Sequence, residues 1–144
     1  LMQEPEEWLN PTDDRSEVLK DLFNAFPYWM GPALRQYIDK DGEIPFDQHF
    51  LLSLVAPRYV LIGSASKDLW ADPYSEQLSC VASSEVWKLY GKKGFVGRLR
   101  PAKIGESFSN GDIHYHLRDG IHFFGRPDWN LYMNFINSKI NKKV

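Results

Sequence analysis

Tyr59-Val60-Leu61-Ile62-Gly63 runs straight into Ser64-Ala65-Ser66-Lys67-Asp68-Leu69-Trp70-Ala71-Asp72-Pro73. The first five residues are a continuous apolar, β-rich run bounded by the breakers Ala56-Pro57-Arg58 and by a polar turn. Such a run suits a strand covered on both faces, as in a parallel sheet flanked by helices. Pro73 fits the first turn of a following helix, and Leu78, Ala82, Val86 and Leu89 predict its apolar stripe, ending at Gly91. A second strand is expected in Ile113-His114-Tyr115-His116-Leu117, with His122 in the turn after it. A last helix from about Pro127 to Ile140 would bury Leu131, Phe135, Ile136 and Ile140 and close at Lys142-Lys143, where cations suit the helix dipole.

Working outward toward the N-terminus, Pro45 to Val55 predicts a short buried helix, with Phe46, Phe50, Leu51, Leu54 and Val55 on one face. Helices are also expected from Ser16 to Asn24 and from about Gly31 to Ile38, interrupted at Phe26-Pro27 because proline lacks the donor. Residues 1–14 read as an irregular, acidic lead-in, and 91–111 as a long glycine-rich and basic loop without periodicity. The alternation of helix, strand, acidic turn, helix, strand, histidine turn and helix argues for α/β layers, with function at the carboxyl ends of the strands. Two strands make a poor sheet alone, so the reading expects the N-terminal half of the domain to lie upstream. Leu1 in place of an initiating methionine points the same way.

The chain has 144 residues, 43% hydrophobic and 25% charged, which is ordinary globular chemistry rather than that of a disordered segment. Its net charge of −2 comes from 17 basic and 19 acidic residues that are mixed along the sequence. No positive field is expected to hold nucleic acid or an anionic membrane. No apolar run approaches the roughly 18 residues a membrane span needs, and the opening residues are the opposite of a signal peptide. The lone Cys80 excludes an internal disulfide and reads as a small buried hydrophobe. Aromatic residues reach 15%, and most of Trp8, Trp29, Trp70, Trp87 and Trp129 are expected in the core or at interfaces, one or two lining a sugar site.

Asp68 and His122 each follow a predicted strand, in the chain order of the acid and base of a hydrolase triad. The competing reading is two polar loop residues that happen to follow strands. His114, His116 and His122 could share a metal ion, but no cysteine or acidic partner has ligand spacing nearby, so that reading is set aside. His49 reads as a hydrogen-bonded core residue. Ser64-Ala65-Ser66-Lys67 fits a Ser-x-x-Lys pattern that is common by chance and lacks companion motifs.

Phe26-Pro27-Tyr28-Trp29, Pro45-Phe46-Asp47-Gln48-His49 with Ala56-Pro57-Arg58, Asp68 to Pro73, and Tyr115 to His122 occur in one order along the chain. In that order, from about Arg15 to the C-terminus, the chain resembles the bacterial glucuronoyl esterases of carbohydrate esterase family 15. The resemblance implies the C-terminal half of a single α/β-hydrolase domain over residues 15–144. It also implies hydrolysis, without cofactor or metal, of the ester between a lignin alcohol and the glucuronic acid of xylan. His122 then matches the general base. Asp68 matches the acid that many bacterial members use, while others place a glutamate in an earlier loop. Trp70 matches a tryptophan that packs against the uronic acid, and Glu17 a carboxylate that binds sugar hydroxyls. The glycine-flanked serine nucleophile of the family has no match here: Gly63 to Lys67 lacks the second glycine, and Gly105-Glu106-Ser107-Phe108-Ser109 likewise fails. A plant cell-wall substrate implies a secreted or periplasmic protein. The alternatives are an acetyl-xylan-type esterase on the same scaffold and a carbohydrate-binding fragment without chemistry.

Overall fold

A computed structural model of the chain describes residues 16–141. The expected lead-in over 1–14 and the lysines after the last helix lie outside them. The helices are α1 (Leu19–Ala25), α2 (Gln48–Ser53), α3 (Pro73–Leu89) and α4 (Arg126–Ile140), and the strands β1 (Val60–Ala65), β2 (Ser107–Phe108) and β3 (Ile113–Arg118). The helix expected over 31–38 is a 3₁₀ segment, Pro32–Tyr37. The strands form one sheet in the order β1-β3-β2. β1 runs parallel to β3, in register from Val60↔Ile113 to Ala65↔Arg118, and β2 is antiparallel to β3. The expected α/β layering is therefore present, and no helix among the described residues is long and apolar enough to cross a membrane.

β3 is buried on both faces, but the two faces differ chemically. Ile113, Tyr115 and Leu117 join Val60, Cys80, Trp87 and Ala102 in one apolar cluster against α3. Strand alternation sends His114 and His116 the other way, where their rings meet Tyr132 on α4. Burial pushes the Cys80 thiol up to about 12, helped by the nearby Glu76 charge, so it packs as a neutral apolar group.

Besides Ile140 of α4, expected buried but 60% exposed, three sequence expectations need correction. The most buried face of α3 is not the Leu78-Ala82-Val86-Leu89 stripe, since Leu89 is 84% exposed. It is Pro73, Gln77, Cys80, Ser84 and Trp87, because its polar members find partners. The Gln77 amide donates to the carbonyls of Arg98 and Arg100 at 3.0 and 2.9 Å, and its oxygen accepts from Ala102 N–H at 2.8 Å. Ser84 Oγ accepts from Phe95 N–H at 2.8 Å, and Trp87 donates to the Arg58 carbonyl at 3.1 Å. These bonds organise the segment expected to be a plain loop, which also contains β2. Second, α2 turns Leu52 and Val55 toward the core and leaves Phe46, Phe50, Leu51 and Leu54 exposed. His49, on the same helix, is only half-buried beside Phe50. Third, Trp87 alone among the described tryptophans is buried.

Candidate active site

Parallel pairing of β1 with β3 brings their carboxyl ends side by side, and the turns beyond them stay joined. Ser66 N–H donates to the Arg118 carbonyl and Lys67 N–H to the Gly120 carbonyl, both at 2.9 Å. Ser66 Oγ reaches Asp119 at 3.0 Å, and Lys67 Nζ lies 3.8 Å from the same carboxylate. Lys67 is thus committed to Asp119, and the Ser64 hydroxyl donates to Glu76. The Ser-x-x-Lys pattern forms no unit here.

From this ladder the chain enters a 3₁₀ turn, Leu69–Ala71, that starts at Asp68 and ends at Asp72. Asp72 holds φ 55°, a left-handed conformation that aspartate tolerates better than most side chains. Its carboxylate accepts from Ser75 N–H at 2.9 Å and caps α3. So anchored, the turn presents the Asp68 carboxylate to the histidine turn, and His122 Nδ1 lies 2.7 Å from Asp68 Oδ2. The His122 side chain is 88% exposed, against 18% for Asp68. With the carboxylate as acceptor, Nδ1 carries the proton and Nε2 is the free basic nitrogen. Among the described residues Nε2 has no hydrogen-bond partner.

Trp70, half-exposed, follows two residues after Asp68. Glu17 is brought to it by a backbone bond, Glu17 N–H to the Trp70 carbonyl at 3.1 Å. Both line a concave groove of about 880 Å³ together with Leu22, Phe50, Asp72 and Glu76. Desolvation and the neighbouring Asp21 charge raise the Glu17 carboxyl above its ordinary range.

Sequence reading missed two groups around this pair. Glu76, in the first turn of α3, is pushed up to about 7 by burial and further by Asp68 and Asp72, against the Ser64 hydrogen bond and His122. The Asp72-x-x-x-Glu76 spacing, one helical turn, was the available signal. Behind the histidine turn, Ser109, His114, His116 and Asp128 form a buried chain with contacts of 2.9, 3.0 and 2.8 Å. This is the acidic partner that spacing did not reveal, and it separates His114 and His116 from the exposed His122. Among the described residues no group of three or more histidine, cysteine or acidic side chains is placed to hold a metal.

A parallel strand pair covered by α3 on one face and α4 on the other, with an acid and a histidine on adjoining turns at its carboxyl ends, places this chain among the α/β-hydrolases. The family model "Glucuronyl esterase, fungi" matches residues 7–91. The chain belongs to that glucuronyl esterase family. It is 38% identical over 121 residues to "Carbohydrate esterase MZ0003" from an unknown prokaryotic organism, covering 83% of this chain and 27% of that protein's length. A promiscuous CE15 esterase from a marine bacterial metagenome is similar with TM-score 0.80 and 35% identity, over 85% of this chain and 30% of that one. The glucuronoyl esterase from Solibacter usitatus is similar with TM-score 0.75 and 36% identity, over 87% and 31%. The chain thus spans less than a third of the length of these relatives.

Proposed function

We propose that residues 15–144 are the C-terminal part of one α/β-hydrolase domain, in a serine-type esterase that cleaves glucuronoyl esters between lignin alcohols and xylan glucuronic acid. The observation that carries this reading is the 2.7 Å contact of His122 Nδ1 with Asp68, which leaves Nε2 exposed. Nε2 takes the proton of a serine supplied by sequence outside these 144 residues, as the serine oxygen attacks the ester carbonyl. The imidazolium, stabilised by Asp68, then protonates the departing alcohol and leaves a glucuronoyl-serine. Water, deprotonated by the same Nε2, releases the uronic acid. Trp70 packs against the sugar and Glu17 binds its hydroxyls, a placement supported by their shared groove. This chain alone is inactive in this scheme, and a cell-wall substrate places the complete protein outside the cytoplasm.

The test is His122→Ala in the complete protein, assayed on the methyl ester of glucuronic acid. Loss of hydrolysis is expected, and near-normal turnover overturns the assignment. One solved relative is described as a promiscuous esterase, so acetylated xylose is assayed beside it. Activity there without activity on the glucuronate ester selects an acetyl-xylan-type enzyme, and binding without turnover selects a carbohydrate-binding role.

A further inference from the structure

The turn that carries His122 is held at both ends by one ion pair. Arg118, the last residue of β3, projects to the same side of the strand as His114 and His116. Its Nε lies 3.0 and 3.1 Å from the two oxygens of Asp128. Its other nitrogens donate forward into the turn, Nη1 to the Asp119 carbonyl at 3.2 Å and Nη2 to the Ile121 carbonyl at 3.1 Å. Asp128 closes the far end by accepting Gly125 N–H at 2.8 Å. The residue immediately before His122 and the one three after it are therefore tied to the same two side chains.

The clamp is itself braced from inside. The Asp128 side chain is 2% exposed and that of Arg118 18%. Burial opposes charge on Asp128, but the Gly125 N–H, His116 and Arg118 outweigh it and hold the carboxyl below its ordinary range. An ionised Asp128 only accepts, so His116 presents Nε2–H to it. His116 Nδ1 meets His114 Nε2 at 3.0 Å, and His114 Nδ1 meets Ser109 Oγ at 2.9 Å. This run of contacts braces the Asp128 carboxylate from behind.

We propose that Arg118 and Asp128 are positioning residues for His122, clamping both ends of its turn so that Nδ1 stays against Asp68. This rests on the reading of His122 as the general base. A planar guanidinium serves where an ammonium does not, because the bonds to Asp128, Asp119 and Ile121 leave from three separate nitrogens held in one rigid fork.

The experiment compares Arg118→Lys, Arg118→Ala and Asp68→Asn in the complete protein. It measures kcat and KM on methyl glucuronate, and the tautomer of the neutral His122 ring by NMR of ¹⁵N-labelled histidine, assigned with His122→Ala. Misplacing a catalytic group by an ångström costs on the order of 100-fold. We expect kcat to fall by about 10-fold in Arg118→Lys and about 100-fold in Arg118→Ala, with KM within about twofold. The share of the Nδ1–H tautomer should fall in both Arg118 variants toward that in Asp68→Asn, where the carboxylate acceptor is gone. Adding Arg118→Lys to Asp68→Asn should lower it no further. A His122 tautomer unchanged in both Arg118 variants overturns the proposal, whether activity falls or not. Should Arg118→Ala fail to fold, Arg118→Lys decides alone. Full hydrolysis by His122→Ala would instead defeat the general-base reading, while the tautomer still reports whether the clamp holds the ring.

Discussion

Gly63 lies under the imidazole of His116, its register partner on β3. A Cβ at Gly63 would sit 2.5 Å from His116 Cε1 and 3.1 Å from the Tyr132 hydroxyl. The ring cannot swing aside, because both its nitrogens are engaged by His114 and Asp128. Gly63→Ala is therefore expected to destabilise the protein by about 1–3 kcal/mol through overpacking. The measurement is the urea midpoint at unchanged slope. The double variant with His116→Ala should lose less than the sum of the two single changes, since removing the ring removes the clash.

Asp68→Asn keeps the volume of the acid but replaces the acceptor-only carboxylate by an amide that no longer fixes the His122 tautomer. By analogy with the same change in other triads, kcat on methyl glucuronate should fall by about 10²–10⁴-fold with KM little altered. Trp70→Ala should do the reverse, raising KM while leaving kcat near that of the parent. Equal loss in both parameters for Trp70→Ala would place the ring in the chemical step instead of in sugar binding.

Two buried groups give stability opposite pH trends. His114, lowered to about 4 by burial and by the neighbouring His116, is neutral in the fold where the unfolded chain would be charged. Its contribution is complete above the unfolded value of about 6.5 and is lost as pH falls toward 4. Glu76, raised to about 7, binds its proton more tightly in the fold, so its contribution is complete below the unfolded value of about 4.5 and is lost as pH rises through 7. Glu76→Gln should thus raise stability at pH about 8 by up to about 3 kcal/mol and change little near pH 4. A chemical denaturation series across that range checks both the sign and the window.

Gln77 satisfies three backbone groups of the 98–102 segment from within the helix. Gln77→Leu leaves those groups short of partners and should cost about 2 kcal/mol or more. Exposure should be local: limited trypsin digestion is expected to open the chain at Arg98 or Lys103 before any other site. Beyond Gln77 the segment is also tied by the Tyr74 hydroxyl, which donates to the Leu99 carbonyl at 3.3 Å, and by the two-pronged Arg100–Glu106 pair, whose closest contacts are 2.6 and 2.8 Å.

The parts of this architecture that were legible in the sequence are those governed by burial on two faces. Val60 to Gly63 and Ile113 to Leu117 are β-rich runs with breakers at their ends, so a parallel pair followed from them, and with it the closeness of the turns that carry Asp68 and His122. What escaped is what tertiary partners decide. β2 has two residues and no pattern of its own, existing through its pairing with Tyr115 and His116. The buried face of α3 was misread because Gln77 and Ser84 look solvent-facing until the loop that satisfies them is in place. The apolar residues of α2 were assigned to a core, whereas Phe46, Phe50 and Leu51 line the groove next to Trp70. Asp128 was invisible because its partners, Arg118 and His116, lie 10 and 12 residues away on another element.

The hydrogen-bonded run of Ser109, His114, His116 and Asp128 also governs how this sequence can change. Replacing either histidine alone by an apolar residue strands a buried donor or acceptor on its neighbour, whereas replacing both by residues of similar shape strands only the ends. The pair is thus inherited or discarded as a unit. A laboratory library randomised at 114 and 116 together should return stable proteins that contain two histidines or none, and few that contain one.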